Sequence, residues 1–138
     1  MDNLSLKIQA EFENIDEIIT TIPFDKDILQ ITTLELAGIA AMIHSFYNGI
    51  EDILKLILRT REVELPSGEY WHKRLLEKSI EFNIISERNK NQLSPYLAFR
   101  HFFIHAYAFD LYSEKMEPLL FSLKNVYKDF KDSINRFY

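Results

Sequence analysis

The chain contains no cysteine. Disulfides, thiolate metal sites and thiol catalysis are thereby excluded, and a cytoplasmic home is the simplest expectation. Only three glycines and four prolines interrupt 138 residues. Turns must be few, and few turns with long periodic stretches favour a helical protein. No apolar run approaches the ~20 residues of a membrane span. The opening stretch alternates charge with apolar residues, unlike a secretion signal, so no membrane association is expected. There is no glycine-rich phosphate loop, and no serine has a nucleophile-elbow context.

What remains is an ordinary globular composition, 47% hydrophobic and 27% charged, in one domain over residues 1–138 with a single core. The net charge of −5 argues against non-specific coating of nucleic acid. Its distribution is uneven. From Tyr70 to Tyr107 six basic residues face three acids, a local charge of +3 on a chain that is otherwise −8. Such a basic region is compatible with selective phosphate contact.

The apolar spacing predicts an all-α antiparallel bundle of four to five helices. A first helix runs from Asp2 to Ile22, with Leu4, Ile8, Phe12, Ile15 and Ile19 at steps of three and four. A second starts near Asp25 or Asp27 and reaches Arg61, with an apolar stripe from Ile39 to Ile57. Gly38 and Gly49 lie inside it and suggest close helix approach. Pro66-Ser67-Gly68 marks a loop. A third helix covers Glu69 to Phe82, and Asn83 to Ile85 reads as extended. Ser86 caps a fourth helix that reaches about Tyr107. Pro95 should kink or restart that helix, with Ser94 as a second cap. A fifth runs from Ser113 to Arg136, its true start nearer Glu117 because of Pro118.

The stretch Phe99-Arg100-His101-Phe102-Phe103-Ile104-His105-Ala106-Tyr107 concentrates one arginine, two histidines and a tyrosine among large apolar residues. Polar groups in such surroundings must be paired or face a cleft. At ~100° per residue, His101 and His105 lie about 40° apart and Arg100 and Tyr107 about 20° apart, but Arg100 and His105 about 140° apart. One regular helix does not easily focus Arg100 and His105 on one atom; the length of arginine, a kink at Pro95 or a two-fold-related second helix would solve this. His101-x3-His105 has the spacing of a helical metal pair, but without a following glutamate or a third ligand nearby no metal is expected. His44, Tyr47 and Glu51 follow one another along the second helix, placed either to orient the fourth-helix groups or to be solvated. Trp71-His72 reads as core and rim.

The run Arg100-x4-His105-x-Tyr107 resembles the Arg-x4-His-x-Tyr motif of HepT-like toxins in the HEPN superfamily. His101 occupies the position after the arginine, where that superfamily commonly has Asn, Asp or His. The blocks His44-Ser-Phe-Tyr47-Asn-Gly49-Ile-Glu51 and Trp71-His72-Lys-Arg-Leu75-Leu76 are similar to the same family, and the likeness spans about Leu36 to Leu120. The resemblance implies a HEPN-like bundle that dimerises through the motif helix and cleaves RNA at the interfacial cleft without metal or other cofactor. It implies Arg100 and His105 as catalytic groups, with His101 assisting in proton transfer or orientation. It further implies a cognate MNT-type nucleotidyltransferase that neutralises the toxin by transferring AMP to Tyr107. Inactive HEPN domains that serve as binding companions of nucleotidyltransferases are the alternative. The residue chemistry agrees with the nuclease. An imidazole suits movement of the 2′-hydroxyl proton, and a guanidinium suits the charge that develops on phosphorus oxygens.

Overall fold

A computed structural model describes residues 3–107 and 110–138. The described residues form five α-helices: α1 (Asn3–Thr21), α2 (Thr33–Thr60), α3 (Trp71–Glu81), α4 (Glu87–His105) and α5 (Ser113–Ile134). Short 3-10 turns cover Ile28–Gln30 and Asn135–Phe137. The expected start of the first helix at Asp2 lies outside the described residues. No described helix is long and apolar enough to cross a membrane.

Helix α2 is the spine of the bundle, in contact with each of the other four helices. Its apolar stripe of Ile39, Ile43, Phe46, Ile50, Ile53, Leu54 and Ile57 is buried throughout. It starts later than the sequence predicts. Asp27 caps only the 3-10 turn, accepting from the Leu29 N–H. Thr32 then opens α2 with a full capping box: its hydroxyl accepts from the Glu35 N–H, and the Glu35 carboxylate accepts from the Thr32 N–H. Two orphan donors of the first turn are thereby satisfied, which explains the boundary.

The ends of α2 and α3 share one solution. Glu62 and Asn83 both adopt positive φ, 59° and 58°. The Val63 N–H donates to the Leu58 carbonyl and the Glu62 N–H to that of Arg59. At α3, Ile84 donates to Ser79 and Asn83 to Ile80. Both are Schellman closures, in which a left-handed residue turns the chain back to satisfy the last carbonyls. The extended reading of Asn83 to Ile85 is therefore replaced by a left-handed turn. It releases the chain into Ser86, whose capping box with Asn89 starts α4 as expected.

Both interior prolines are tolerated. Helix α4 continues through Pro95 without a restart, and the Ser94 hydroxyl donates back to the Lys90 carbonyl instead of capping a new helix. Helix α5 begins at Ser113, ahead of the expected start near Glu117, and runs through Pro118 to Ile134. Along α4 and α5, contacts pair Asn89 with Ser133, Gln92 with Asp129 and Tyr96 with Leu119, so the two run antiparallel. Helix α3 instead advances with α2: Glu51 meets His72, and the Arg61 guanidinium donates to the Phe82 carbonyl. The return loop over residues 61–70 makes this possible, and it delivers a third-helix side chain beside the fourth-helix motif.

The two glycines of α2 differ. A Cβ on Gly49 would stand 2.7 Å from Ile15 Cγ1 and 2.9 Å from its Cδ1, so α1 crosses α2 at this point. A Cβ on Gly38 would meet nothing within 4 Å, which corrects the expectation of close approach there. Gly38→Ala is expected to stabilise by about 1 kcal/mol through helix propensity. Gly49→Ala is expected to destabilise by about 1–3 kcal/mol through overpacking. Urea melts of the two variants check the opposite signs; equal shifts would show that α1 does not seat on Gly49.

Candidate functional site

The motif divides between two sides of α4. Arg100 lies on the half-buried side, facing α2 and α3. Along α2, His44, Tyr47, Glu51 and Lys55 recur at steps of four and three and so share a face. The charge of Arg100 acts on His44, Tyr47, Glu51 and His72 alike, which places it among all four. His44 stacks at 5.0 Å from the Phe103 ring, and Phe103 in turn stacks on Phe99 at 5.9 Å.

Glu51 is the most deeply placed charge-bearing side chain of this group, 3% exposed. A buried carboxylate needs a partner. It finds one in His72, whose Nδ1 lies 2.9 Å from Oε1 and 2.8 Å from Oε2. The His72 ring is also held from its face, with the Trp71 ring 3.5 Å away at 31°. Lys55 Nζ in turn sits 4.6 Å over the Trp71 ring. Burial pushes the Glu51 carboxyl up, against the opposing pull of Arg100 and Lys55. Burial, then the charges of Arg100 and Lys55, push His72 down. Each shift disfavours the charged form of its own group, across a contact whose proton either atom can carry. Their effects on stability oppose each other. The raised Glu51 makes stability fall as pH rises above the ordinary carboxylate range, while the lowered His72 makes it fall as pH drops below the ordinary imidazole range.

Three polar atoms in this cluster are buried without a hydrogen-bond partner: His44 Nε2, Tyr47 Oη and Arg100 Nε. The Tyr47 hydroxyl is within range of the Glu51 carboxylate, but no well-formed bond joins them. Burial, then the charge of Glu51, raises its pKa and keeps it a phenol. Burial, then Arg100, lowers that of His44 and favours a neutral ring. Arg100 makes no ion pair with any described residue.

His101 and His105 occupy the exposed side of α4, their rings 5.3 Å apart and edge to face. With Phe102, Ala106, Asp110 and Tyr112 they line an open cleft of about 500 Å3. No group of three metal-ligating side chains occurs among the described residues. The expected separation of Arg100 from His105 is therefore what the fold displays. The expected register of Tyr107 with Arg100 is not. Helix α4 ends at His105, and Ala106 is already extended at φ −93° and ψ 148°. Tyr107 stands beyond the helix end, 78% exposed. Its N–H donates to Asp110 Oδ2 at 3.2 Å, and its carbonyl accepts from the Asp110 N–H at 2.9 Å. The helical angle does not apply once the chain leaves the helix, so the register of Tyr107 with Arg100 is lost.

Sequence reasoning placed His72 at the rim of the core and missed its place in the site. The available signal was Glu51. A carboxylate between buried positions 50, 53 and 54 of one helix demands a partner from another element, and His72 is a polar side chain at the start of the next one.

An all-helical bundle with an arginine turned inward, two histidines turned outward and a tyrosine past the end of its penultimate helix defines a HEPN-type domain. Residues 38–138 match the family of HepT-like proteins. The chain belongs to this HepT-like family of the HEPN superfamily, a membership that associates it with toxin–antitoxin modules. No curated protein and no solved structure matches it.

Proposed function

We propose that the protein is the toxin of a HEPN/MNT pair and a metal-independent endoribonuclease of the cytoplasm, active as a homodimer. The observation that carries this reading is the uncommitted Arg100 guanidinium, held among α2 and α3 side chains without an ion pair, one residue from the exposed His101–His105 pair. A cation that pairs with no described carboxylate is available to phosphate. An exposed imidazole is accessible to a substrate for proton transfer.

In the proposed reaction His105 accepts the proton of the RNA 2′-hydroxyl. The 2′-oxygen attacks phosphorus, the bond to the 5′-oxygen breaks, and that oxygen takes a proton from an imidazolium or from water to become the 5′-hydroxyl; water can then open the cyclic phosphate to a 3′-phosphate. Arg100 carries the negative charge that accumulates on the non-bridging oxygens. His101 assists the proton movement or orients His105. The products are a cyclic or 3′-phosphate end and a 5′-hydroxyl. RNA cleavage by the purified protein in EDTA, with the ends identified by mass, tests this; no cleavage under any condition would leave the binding-companion reading.

Two copies are needed because Arg100 and His105 face opposite sides of α4. A two-fold axis near the end of α4 brings His105 of one copy toward Arg100 of the other. Exposed Phe102 and Ile104 beside the histidines supply apolar surface for that contact. Sedimentation at micromolar concentration is expected to give a dimer. A monomer with full nuclease activity would show that one chain completes the site.

A further inference from the structure

The Glu51–His72 pair presents a problem that its geometry answers. A buried carboxylate near an arginine ordinarily forms a direct, often bidentate ion pair. Here Arg100 and Glu51 are close enough to act on each other electrostatically, yet no such ion pair forms. Both carboxylate oxygens are instead turned to His72 Nδ1. The imidazole has little freedom to release them, because Trp71 covers its face and Lys55 covers Trp71.

We propose that His72 is a positioning residue that holds Glu51 away from Arg100, so that the carboxylate attracts the guanidinium into place but leaves it free to bind a substrate phosphate. The groups facing Glu51 are Tyr47, Asp52 and Lys55 of its own helix, His72 of α3 and Arg100 of α4. Among them His72 alone contacts the carboxylate as a partner of good geometry. Remove its N–H and the nearest compensation for a buried carboxylate is Arg100. The freed Glu51 then competes with RNA for the guanidinium. His72 and Glu51 thus set phosphate affinity without touching the reacting atoms. This rests on the reading of Arg100 as the phosphate-binding group.

That competition has a signature that a merely structural role lacks. The probe is a short RNA with 2′-O-methyl groups, which binds but has no attacking hydroxyl. Its dissociation constant is read by fluorescence anisotropy, and folding by circular dichroism. His72→Ala is expected to weaken binding about tenfold, the scale of one charge-assisted contact. His72→Asn keeps an N–H near the Nδ1 position and is expected to bind like wild type. Adding Glu51→Gln to His72→Ala removes the competitor and is expected to return affinity to within about threefold of wild type, a non-additive result for residues in contact. With cleavable RNA the same order appears in KM more than in kcat. If His72→Ala does not fold, His72→Gln replaces it, since it fills the space but carries its amide past the Nδ1 position. A double variant that binds no better than the single, or an Asn variant as weak as Ala, overturns the proposal. A wild type that binds the methylated RNA without cleaving the natural one refutes the nuclease reading alone. A wild type that does not bind refutes both.

Discussion

Arg100→Ala and His105→Ala are each expected to abolish toxicity and to reduce RNA cleavage about 10²-fold or more, the usual cost of one charge stabiliser or one proton-transfer group. Their structural consequences differ, and the difference makes the test sharp. His105 is exposed in the last turn of α4, with no described partner beyond the His101 ring. Its loss changes stability by no more than about 0.5 kcal/mol, as for most surface substitutions. Arg100 is half-buried and is the strongest of the charges that oppose the burial of Glu51. Its loss raises the Glu51 carboxyl further and leaves the His72 contact to offset the burial. Arg100→Ala should therefore fold, with a lower melting temperature than His105→Ala. Cleavage assays at equal folded concentration separate the outcomes. Two folded variants that cleave at the wild-type rate would assign the chemistry elsewhere, and two unfolded variants would make both residues structural. In mixtures of the two inactive variants, a heterodimer holds one site with both residues intact if the site spans the dimer, so activity reappears on mixing.

The helical layout was legible because each buried stripe repeats at three and four residues, from Ile8, Phe12 and Ile15 on α1 to Leu123, Tyr127, Phe130 and Ile134 on α5. What escaped depends on contacts that no local pattern carries. Glu62 and Asn83 close helices in a conformation for which glycine is the usual signal. Pro118 sits inside α5 because losing one hydrogen bond near a helix start is outweighed by burial of Met116, Leu119 and Leu120 around it. The division of Arg100 from His105 was readable from the helical angle alone. The partner of Glu51 was not, because it depends on α3 advancing alongside α2. Tyr107 was misplaced for the converse reason: an angle valid within α4 was carried two residues past its end.

That displacement changes how Tyr107 is expected to work as an off-switch, and Tyr107→Phe is the variant with the other large effect. In the proposed pair the nucleotidyltransferase attaches AMP to the phenolic oxygen, with pyrophosphate leaving from ATP. A modifying enzyme needs an accessible acceptor, and Tyr107 is 78% exposed, beyond the helix and pinned through its backbone to Asp110. Asp110 lines the same cleft as His101 and His105. The phosphodiester would thus enter on the histidine side of α4, next to the proton-transfer group, and the exposed Phe102 ring of the cleft offers a face for adenine. Its negative charge and bulk would occupy the path of an RNA phosphate without disturbing the core, so the modified protein stays folded and loses cleavage. In Tyr107→Phe the acceptor oxygen is gone, while Arg100, His101 and His105 are untouched. The variant is expected to keep most of its nuclease activity and to kill cells even when the nucleotidyltransferase is coexpressed, whereas wild type is rescued. Growth assays of both proteins with and without the partner, read beside intact masses, check this. Equal rescue of both would mean that neutralisation runs through binding or through another residue. Rescue of wild type alone, with the mass of one AMP on the Tyr107 peptide and no change in melting temperature, ties the switch to the exposed phenol beyond the end of α4.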